Sequence, residues 1–519
     1  MRRPPELALE RARVDELERP LRAGGLTLGD RETHSEPLRR TWLDTFDWRL
    51  HRAGFELEQI EANGTTTLEL RAWAGSAMTV TSARPVAWPA GAAMLPEGTV
   101  RDRVAAVAGI RALVETASFE GTRSTVRLLD DELKTIARVH VDSPTADGAA
   151  ARLSVVPLRG YDDEAARAAI MLASVDGVTA SPTSTYEQCL AASGRHFDDT
   201  APVRPGATVS PDIPASVAVA SVLRVFLTTV EANVPGVLAD IDTEFLHDLR
   251  VAVRRARSTI KLAGDALPYT VPPPSGTPSA VAQLASDLKW LGDATTPTRD
   301  LDVYLLGVPT MAKGLRAARP GDLDPFRAHV AVRRADALAR LVTDLRSPRF
   351  AAVLARWRAV ASVDRECVVP APTAAEFGAD CLRRAHRRVL RLGSRIDPYS
   401  PAEELHTLRK RCKELRYLLE IFERIEPPRT RKRVLPVLKR LQECLGEFQD
   451  SEVQAAKIRT FAAEMMAAQS APPGALLAMG ELAAQLDTHQ QHARATFAGI
   501  FTAFDRATRG LAWTEDGRG

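Results

Sequence analysis

Residues 245–262 read FLHDLRVAVRRARSTIKL, and residues 404–421 read ELHTLRKRCKELRYLLEI. The two stretches share one pattern of basic residues at a constant offset of 159 positions. In this pattern His247, Arg250, Arg254 and Arg257 match His406, Arg409, Lys413 and Arg416. The match continues upstream, where Leu223-Arg224 aligns with Leu382-Arg383. Downstream, LKWLGDATTPTRDLDV (288–303) aligns with LKRLQECLGEFQDSEV (438–453) at a shorter offset. Three matched blocks in the same order predict an internal duplication.

The spacing within each copy predicts a helix with an apolar stripe and a cationic stripe beside it. The predicted buried stripe is Leu246, Leu249, Val253, Ala256 and Ile260 in the first copy, and Leu405, Leu408, Cys412, Leu415 and Leu419 in the second. Like charges three or four residues apart repel by a few tenths of a kcal/mol per pair. A cationic stripe in both copies therefore favours a bound anion, because Arg and Lys are the usual phosphate ligands. The alternative is that the stripe faces carboxylates of a neighbouring helix.

The predicted polyanion-binding residues come from both copies: His247, Arg250, Arg254, Arg257, Lys261, Lys289, Arg299, His406, Arg409, Lys413, Arg416, Lys439 and Arg440. The two histidines have either a structural hydrogen-bonding role or a phosphate contact. No metal site is predicted, since His247-Asp248 becomes His406-Thr407 in the second copy. Asp300, Asp302 and Asp450 are expected to tie helices together or orient the cations rather than to perform chemistry.

Composition narrows the classes of protein that remain. A chain of 519 residues is long enough for two or three domains. Its net charge of +3 is close to balance, which favours local basic patches over a general nucleic-acid coat. The five cysteines form no C-x-x-C pair, so neither a disulfide framework nor a zinc site is expected. This use of cysteine is typical of a protein from a reducing cytoplasm. Neither a secretion signal nor a membrane span is predicted.

The first part of the chain has a different periodicity. TTTLELRAW (65–73), STVRLLDD (124–131) and TIARVHVD (135–142) alternate as strands do, and residues 162–194 predict one or two helices. Helical periodicity begins after Pro214, and YTVPPPSGTP (269–278) is expected to be a loop. We predict an α+β domain at 1–195, a linker at 196–212 and an all-α domain at 213–508. The latter contains repeats at about 213–360 and 372–508, and residues 509–519 form a tail.

The repeated blocks resemble the CHAD family, the conserved histidine α-helical domain, from 213 to 508. This resemblance implies two pseudo-symmetric helical bundles with a basic surface between them, and binding of inorganic polyphosphate. The family usually has Leu-Gly before the Arg-Asp pair, as Leu445-Gly446 in the second copy, whereas the first copy has Thr295-Thr296-Pro297. A local difference in the turn is expected there.

The first domain resembles the CYTH family, whose fold is an antiparallel β-barrel or tunnel that holds triphosphate. The residues that carry this resemblance are TWLDTFDWRLHRAGFELEQ (41–59), TTTLELRAW, GTRSTVRLLDD (121–131) and VVPLRGYDDE (155–164). Active members begin with an E-x-E-x-K strand, and the closest stretch here, Glu6 to Arg11, is predicted to be a helix. Glu56, Glu58 and Glu61 would repel a triphosphate. Arg123, Arg127, Lys134 and Arg138 line the tunnel or face outward.

These observations leave three hypotheses for function. The first is a non-enzymatic polyphosphate-binding protein with no cofactor, cytoplasmic or associated with polyphosphate granules. The second is a metal-dependent tripolyphosphatase or cyclase that acts in the N-terminal tunnel. The third is a scaffold for an acidic protein or a nucleic acid. No sequence-specific nucleic-acid partner is predicted, and no base-stacking platform is expected, because only Tyr417 and Trp290 among the matched positions are aromatic.

Overall fold

The computed structural model describes residues 7–9, 17–31, 35–73, 77–82, 84–145, 150–197, 199–200, 205–267, 278–362, 372–425 and 428–511. The chain divides into two compact units, residues 1–202 and 203–519. The point of division lies within 196–212. Apart from Pro278, the predicted loop at 269–278 lies outside the described residues.

The first unit is built on one antiparallel sheet. Its strands, within the described residues, are β1 (Leu7–Leu9), β2 (Thr27–Arg31), β3 (Glu36–Thr45), β4 (Phe55–Ala62), β5 (Thr65–Ala72), β6 (Ala77–Ser82), β7 (Ala90–Gly91), β8 (Ala112–Leu129), β9 (Thr135–Pro144), β10 (Ala151–Pro157) and β11 (Val178–Ala180). They pair in the order β11-β1-β10-β9-β8-β3-β4-β5-β6, with β2 and β7 on β8. The three stretches predicted as strands are confirmed as β5, part of β8, and β9.

Two expectations for this unit are wrong. The sheet does not close into a barrel, because its hydrogen-bonded path ends at β6 on one side and at β11 on the other. Within the segment from Glu6 to Arg11, predicted as a helix, Leu7–Leu9 is strand β1, which pairs with both β10 and β11. Leu7 is buried in the core beneath these strands. Pairing on both sides and burial override the local helix preference of so short a segment.

Five helices pack on the sheet: α1 (Glu18–Ala23), α2 (Arg49–Arg52), α3 (Thr99–Ala108), α4 (Asp162–Leu172) and α5 (Thr185–Ala192). The two helices predicted after residue 162 are confirmed as α4 and α5. Helices α1 and α4 share a core with β8 to β10, in which Leu21, Ile136 and Leu172 are fully buried. Helix α5 begins with a capping box between Ser184 and Glu187 and contributes Tyr186 to a separate core.

In the described part of the second unit, the regular secondary structure is helical. Its helices are α6 (Ala215–Leu238), α7 (Thr243–Ala263), α8 (Ala280–Gly314), α9 (Asp324–Leu345), α10 (Pro348–Ala361), α11 (Ala374–Gly393), α12 (Ala402–Ile421), α13 (Pro428–Ala467) and α14 (Pro473–Thr508). The expected local difference at Thr295-Thr296-Pro297 does not interrupt the helix: α8 continues through this site, as α13 does through Leu445-Gly446. The hydroxyls of Thr295 and Thr296 bond to carbonyls of the preceding turn, those of Leu291 and Gly292.

The starts of the two repeats pair with each other in a reciprocal way. The Ala215 amide donates to the Pro372 carbonyl at 3.0 Å, and the Ala374 amide donates to the Ile213 carbonyl at 2.8 Å. Residues 213 and 372, like 215 and 374, are equivalent at the offset of 159. Such an exchange is what a two-fold axis produces. The pseudo-symmetry implied by the duplication is therefore confirmed at this point.

The predicted apolar stripes are confirmed. All ten residues of the two stripes are buried, as the repeated spacing requires: Leu246, Leu249, Val253, Ala256, Ile260, Leu405, Leu408, Cys412, Leu415 and Leu419. A further core contains residues of α8, α9, α13 and α14, including Tyr304, Phe326 and Phe461. Burying apolar stripes from both repeats in one unit fixes the rotation of each helix, and so it fixes where the cationic stripes point.

One helix in the described part of the chain, α6, is long and apolar enough to cross a membrane. More than half of its residues are buried inside the helical unit. A core helix of a soluble protein has the same length and composition.

Candidate polyanion-binding site

The repeated helices α7 and α12 contact each other through two ion pairs. The Arg255 guanidinium lies 3.0 Å from the Glu420 carboxylate, and the Lys261 ammonium lies 2.7 Å from the Glu414 carboxylate. Positions 255 and 414 are equivalent at the offset of 159, and so are 261 and 420. The pseudo-two-fold axis therefore relates one pair to the other, with the charge reversed. The first repeat supplies both cations, and the second supplies both anions.

This interface changes the interpretation of Lys261. The sequence places it in the cationic stripe as a ligand, but the structure pairs it with the buried Glu414, which also accepts from Arg411 at 2.8 Å. Because Glu414 pairs with Lys261 as well as with Arg411, the charge of Lys261 is largely neutralised within the protein. Of the two alternatives for the stripe, neutralisation by a neighbouring helix applies to this residue.

Arg254 and Lys413 occupy equivalent positions and approach each other across the same interface. The Arg254 Nε donates to the Tyr417 hydroxyl at 3.0 Å, so this guanidinium reaches from the first repeat to the second. Within the described residues, neither Arg254 nor Lys413 has a carboxylate at salt-bridge distance. Burial, and then repulsion from Arg409, Arg254 and Arg416, lowers the pKa of Lys413 to about 8. The positive edges of the two repeats therefore face each other with their charge incompletely compensated.

Arg250 is held by neutral groups. Its Nη1 donates to the hydroxyls of Thr295 and Thr296, at 3.1 and 2.7 Å, and to the Gly292 carbonyl at 3.3 Å. Burial is the main cause that lowers the pKa of Arg250, and Arg254 adds to it. The threonines that replace the usual Leu-Gly thus position this guanidinium without neutralising it.

The equivalent Arg409 has a different environment. It donates to the Gln449 amide oxygen at 3.3 Å and lies 3.0 Å from the Asp450 carboxylate. The His406 Nδ1 also bonds to the Gln449 oxygen, which gives this histidine a structural contact. Asp450 therefore orients Arg409, as the sequence predicted for this carboxylate. Because Asp450 is more than half exposed, the ion pair is open to competition from an anion in solution.

Asp300 stands in the position of Asp450, but no basic group among the described residues lies at salt-bridge distance from it. Partial burial of its carboxyl raises the pKa of Asp300, although the side chain as a whole is exposed, and attraction by Arg250 opposes this shift. Asp302, in contrast, is fully buried and pairs with Arg334 at 2.9 Å. Asp302 therefore ties α8 to α9, which is a structural role.

The remaining predicted residues vary in their surroundings. Arg257 lies against the backbone of Gly292, where a Cβ would come within 3.0 Å of its Nη1. Arg299 donates to the Thr243 carbonyl at 3.3 Å, and Arg416 donates to the Gln442 amide oxygen at 3.1 Å and lies 3.2 Å from the Glu420 carboxylate. A further group is exposed or half-exposed on its own helix: His247, Lys289, Lys439 and Arg440. The last three are fully at the surface, where Lys289 and Lys439 pair within α8 and α13.

Three functional positions were not identified from the sequence. Arg255, Glu414 and Glu420 build the interface that brings Arg254 and Lys413 together. The sequence does contain a signal for this interface, because equivalent positions carry opposite charges in the two repeats. Finding it requires a comparison of the positions at which the two repeats differ, and not only of those at which they match. No group of three or more possible metal ligands occurs in the part of the chain that the structure describes.

In the first unit, the tunnel-like face of the sheet carries charges that pair with each other. Arg40 pairs with Glu58, its second bond being 3.0 Å long, and it lies 3.4 Å from Asp142. Asp142 also holds Arg123, at 2.6 Å. All four side chains are mostly buried. The interpretation of Glu58 as a repulsive charge is therefore wrong, because Arg40 neutralises it, and Arg123 points inward. Arg127, Lys134 and Arg138 are exposed.

An aromatic cluster occupies the same face beside these charges. Trp42 stacks on Tyr186 of α5 with ring centroids 5.2 Å apart, and Phe119, Trp48 and Phe197 complete the cluster. The Tyr186 hydroxyl bonds to Thr116 at 2.9 Å, and burial raises the pKa of Tyr186. Helix α5 thus covers part of this face of the sheet.

The second unit is of the class formed by duplicated helical domains with a cationic interface between their repeats. A model of the CHAD domain matches residues 221–459 of this unit. No curated protein matches the chain. Among solved structures, a CHAD domain from the plant Ricinus communis is similar at 27% identity and a TM-score of 0.47, covering 58% of this chain and 96% of the other. PptA from Streptomyces chartreusis is similar at 18% identity and a TM-score of 0.42, covering 56% and 100%. The first unit has a tunnel-like sheet, which is consistent with a CYTH-like domain.

Proposed function

We propose that the second unit binds inorganic polyphosphate, without catalysis, in the site between α7 and α12. The observation that carries this proposal is the approach of Arg254 and Lys413 from equivalent positions of the two repeats, with no carboxylate at salt-bridge distance in the described residues. A phosphate chain would supply the missing negative charge. Polyphosphate, rather than polyanions in general, is the ligand that the CHAD resemblance implies.

The chemistry of the site favours a bare phosphate chain over single-stranded nucleic acid. Single-strand sites usually present aromatic faces on which bases stack. Tyr417, which lies at the centre of this interface, is only 3% exposed and hydrogen-bonded to Arg254, so its ring offers no stacking surface. Trp290 is covered by the guanidinium of Arg349, 4.3 Å from the ring centroid. The site therefore provides charge and hydrogen-bond donors, which are all that a phosphate chain requires.

For the first unit we propose no catalytic role. Its nearest equivalent of an E-x-E-x-K strand, β1, has Ala8 at the central position of that pattern. The buried Glu58 is already bound to Arg40, and the aromatic cluster on α5 covers the adjacent surface. The alternative, a metal-dependent tripolyphosphatase or cyclase, requires free carboxylates in this place. Release of orthophosphate from tripolyphosphate with Mg²⁺ or Mn²⁺, at a rate lost on Glu58→Gln, would establish that alternative.

The salt dependence of binding tests the proposed function. If six cations engage the chain, the logarithm of the affinity for polyphosphate should fall by about 4 per tenfold increase in salt, at about 0.7 per contact. The measurement is a titration of the full-length protein with fluorescent long-chain polyphosphate at several salt concentrations. Single-stranded RNA at equal phosphate concentration should displace little of it. A flat salt response contradicts the proposal, and efficient displacement by RNA favours the nucleic-acid scaffold.

The proposal is for a cytoplasmic protein that does not associate with membranes, and a polyphosphate granule is the natural place to look for it.

The pKa of Lys413 predicts how binding changes with pH. A bound phosphate stabilises the ammonium form, so the affinity should fall as the pH rises through about 8, where the free protein loses this proton. Stability should change in the opposite sense. Because the unfolded lysine has the higher pKa, the unfolded state binds more protons between these values and the folded state gains stability as the pH rises. Both slopes are obtained from affinity and denaturation curves at pH 7 to 10.

The matched control for the pH prediction is Lys413→Met, which has no proton to lose at this position. The difference between the wild-type and variant curves isolates Lys413 from every other titrating group. If both proteins show the same pH dependence, Lys413 does not contact the phosphate chain.

A further inference from the structure

The solvent face of α11 carries a second concentration of positive charge. Arg384, Arg387, Arg388 and Arg391 lie three and four residues apart, and Arg395 follows one turn later. This spacing places the first four on one face of α11, along about 10 Å of the helix axis, and Arg395 lies in the turn that follows the end of the helix at Gly393. All five are exposed, whereas the opposite face is buried in the bundle. We call these five residues the α11 arginine row.

Most of this charge has no compensation from the protein. Arg384 lies 3.2 Å from Asp380. In the part of the chain that the structure describes, no carboxylate is at salt-bridge distance from Arg388, Arg391 or Arg395. A shallow cleft beside them is lined by Leu390 and by arginines of the row alone. The helix dipole favours Arg391 in the last turn, but this effect does not reach the earlier turns. A solvated helix face usually mixes the two signs of charge, whereas this one carries only positive charge after Asp380.

The first repeat shows that the row is not required by the fold. At the offset of 159, the equivalent positions on α6 are uncharged: Val225, Thr228, Thr229, Ala232 and Gly236. The two helices have the same place in their hairpins, and their starts are paired reciprocally. A packing requirement would act on both copies. The arginines therefore serve something specific to the second repeat.

We propose that the α11 arginine row is a second site for a phosphate chain, which long polyphosphate occupies together with the site between α7 and α12. This inference rests on the proposed function of that first site. Arginine forks bind phosphate oxygens in pairs of hydrogen bonds, and the row has no aromatic residue on which a base could stack. A chain that reaches both sites gains affinity because its second contact is intramolecular, whereas a short chain occupies one site at a time.

The test compares two triple variants of the full-length protein that lose the same charge. Arg388→Gln/Arg391→Gln/Arg395→Gln removes the uncompensated part of the row. Arg327→Gln/Arg340→Gln/Arg346→Gln is the control, since these arginines are also exposed but lie on or next to α9. The ligands are polyphosphate of about 100 phosphates and tripolyphosphate, which differ in whether they can bridge two sites.

The row variant should bind the long chain about a hundredfold more weakly than wild type at about 0.1 M salt, with a salt slope smaller by about 2, from about 0.7 per lost contact. The control variant should change neither value, and tripolyphosphate should bind the row variant and the wild type within about twofold, because the first site is intact. The inference is overturned if the two triple variants bind long-chain polyphosphate with equal affinity. It is also overturned if the row variant loses affinity for single-stranded DNA and keeps its affinity for polyphosphate.

Failure of the proposed function would look different. If the site between α7 and α12 is not a phosphate site, Lys413→Glu will leave long-chain binding unchanged while the row variant abolishes it. If the row is not a site, Lys413→Glu will weaken binding and the row variant will behave as the control does.

Discussion

Lys413→Glu is expected to reduce the affinity for long-chain polyphosphate by about a hundredfold or more at about 0.1 M salt, because it removes one phosphate contact and adds a repulsive charge. The same change should not destabilise the fold. In the free protein Lys413 is half-buried and repelled by Arg409, Arg254 and Arg416. A carboxylate in this place would be attracted by them, so the free energy of unfolding should stay equal or rise by about 1 kcal/mol. The measurements are a binding titration and a denaturation curve on the same preparation.

This combination of effects separates a binding role from a structural one. Substituting a residue that only supports packing lowers both the binding affinity and the free energy of unfolding. In a ligand site with uncompensated positive charge, a carboxylate introduced by substitution lowers the affinity but stabilises the free protein. Lys413→Met gives the intermediate case, without either charge. Arg340→Glu, on the exposed face of α9, is the control for a change of two units of charge elsewhere. Unimpaired binding by Lys413→Glu, or unfolding of this variant, contradicts the proposed site.

The second large effect is expected at the interface between the repeats. The double variant Glu414→Lys/Glu420→Lys should lower the free energy of unfolding by about 3 kcal/mol, because two attractive contacts with Lys261 and Arg255 become repulsive. This change should reduce the melting temperature by about 5–10 °C. Thermal denaturation followed by circular dichroism measures it.

Reversing the other side of the interface supplies the control. Adding Arg255→Glu and Lys261→Glu to the double variant restores both ion pairs with the opposite sign. Part of the lost stability should return, since the charges that interact across the interface are in direct contact and their effects are not additive, whereas the pairs of Glu414 with Arg411 and of Glu420 with Arg416 stay lost. A fourfold variant that is no more stable than the double variant shows that these pairs do not hold the repeats together.

The charge pattern of this interface also explains how a duplicated domain keeps its two halves in a defined relation. If two copies of the first repeat associated in this way, Arg255 of each copy would face Lys261 of the other. If two copies of the second repeat did so, Glu414 of each copy would face Glu420 of the other. Each homotypic pairing is repulsive, and only the pairing of unlike repeats is attractive. Divergence at positions 255, 261, 414 and 420 therefore specifies the association that places Arg254 near Tyr417 and Lys413.

Much of the fold followed from the sequence, since it depends on regular spacing. The offset of 159 revealed the duplication, and the spacing of Leu246, Leu249 and Val253 identified the buried face of α7, as the equivalent spacing did for α12. Strands β5, β8 and β9 followed from alternation. Strand β1 did not, because three residues are too few to show a period, and the strand exists through its pairing with β10 and β11.

The state of each cation was decided by the tertiary structure alone. Arg254, Lys261 and Lys413 belong to the same predicted stripes, and nothing in the spacing distinguishes them. In the fold, Lys261 meets Glu414, while Arg254 and Lys413 have no carboxylate at salt-bridge distance in the described part of the chain, and attraction by Asp450 only partly offsets the repulsion at Lys413. Periodicity within a helix fixes the face on which a side chain lies. The charge that it meets depends on a helix more than 150 positions away, and therefore on how the two repeats pack.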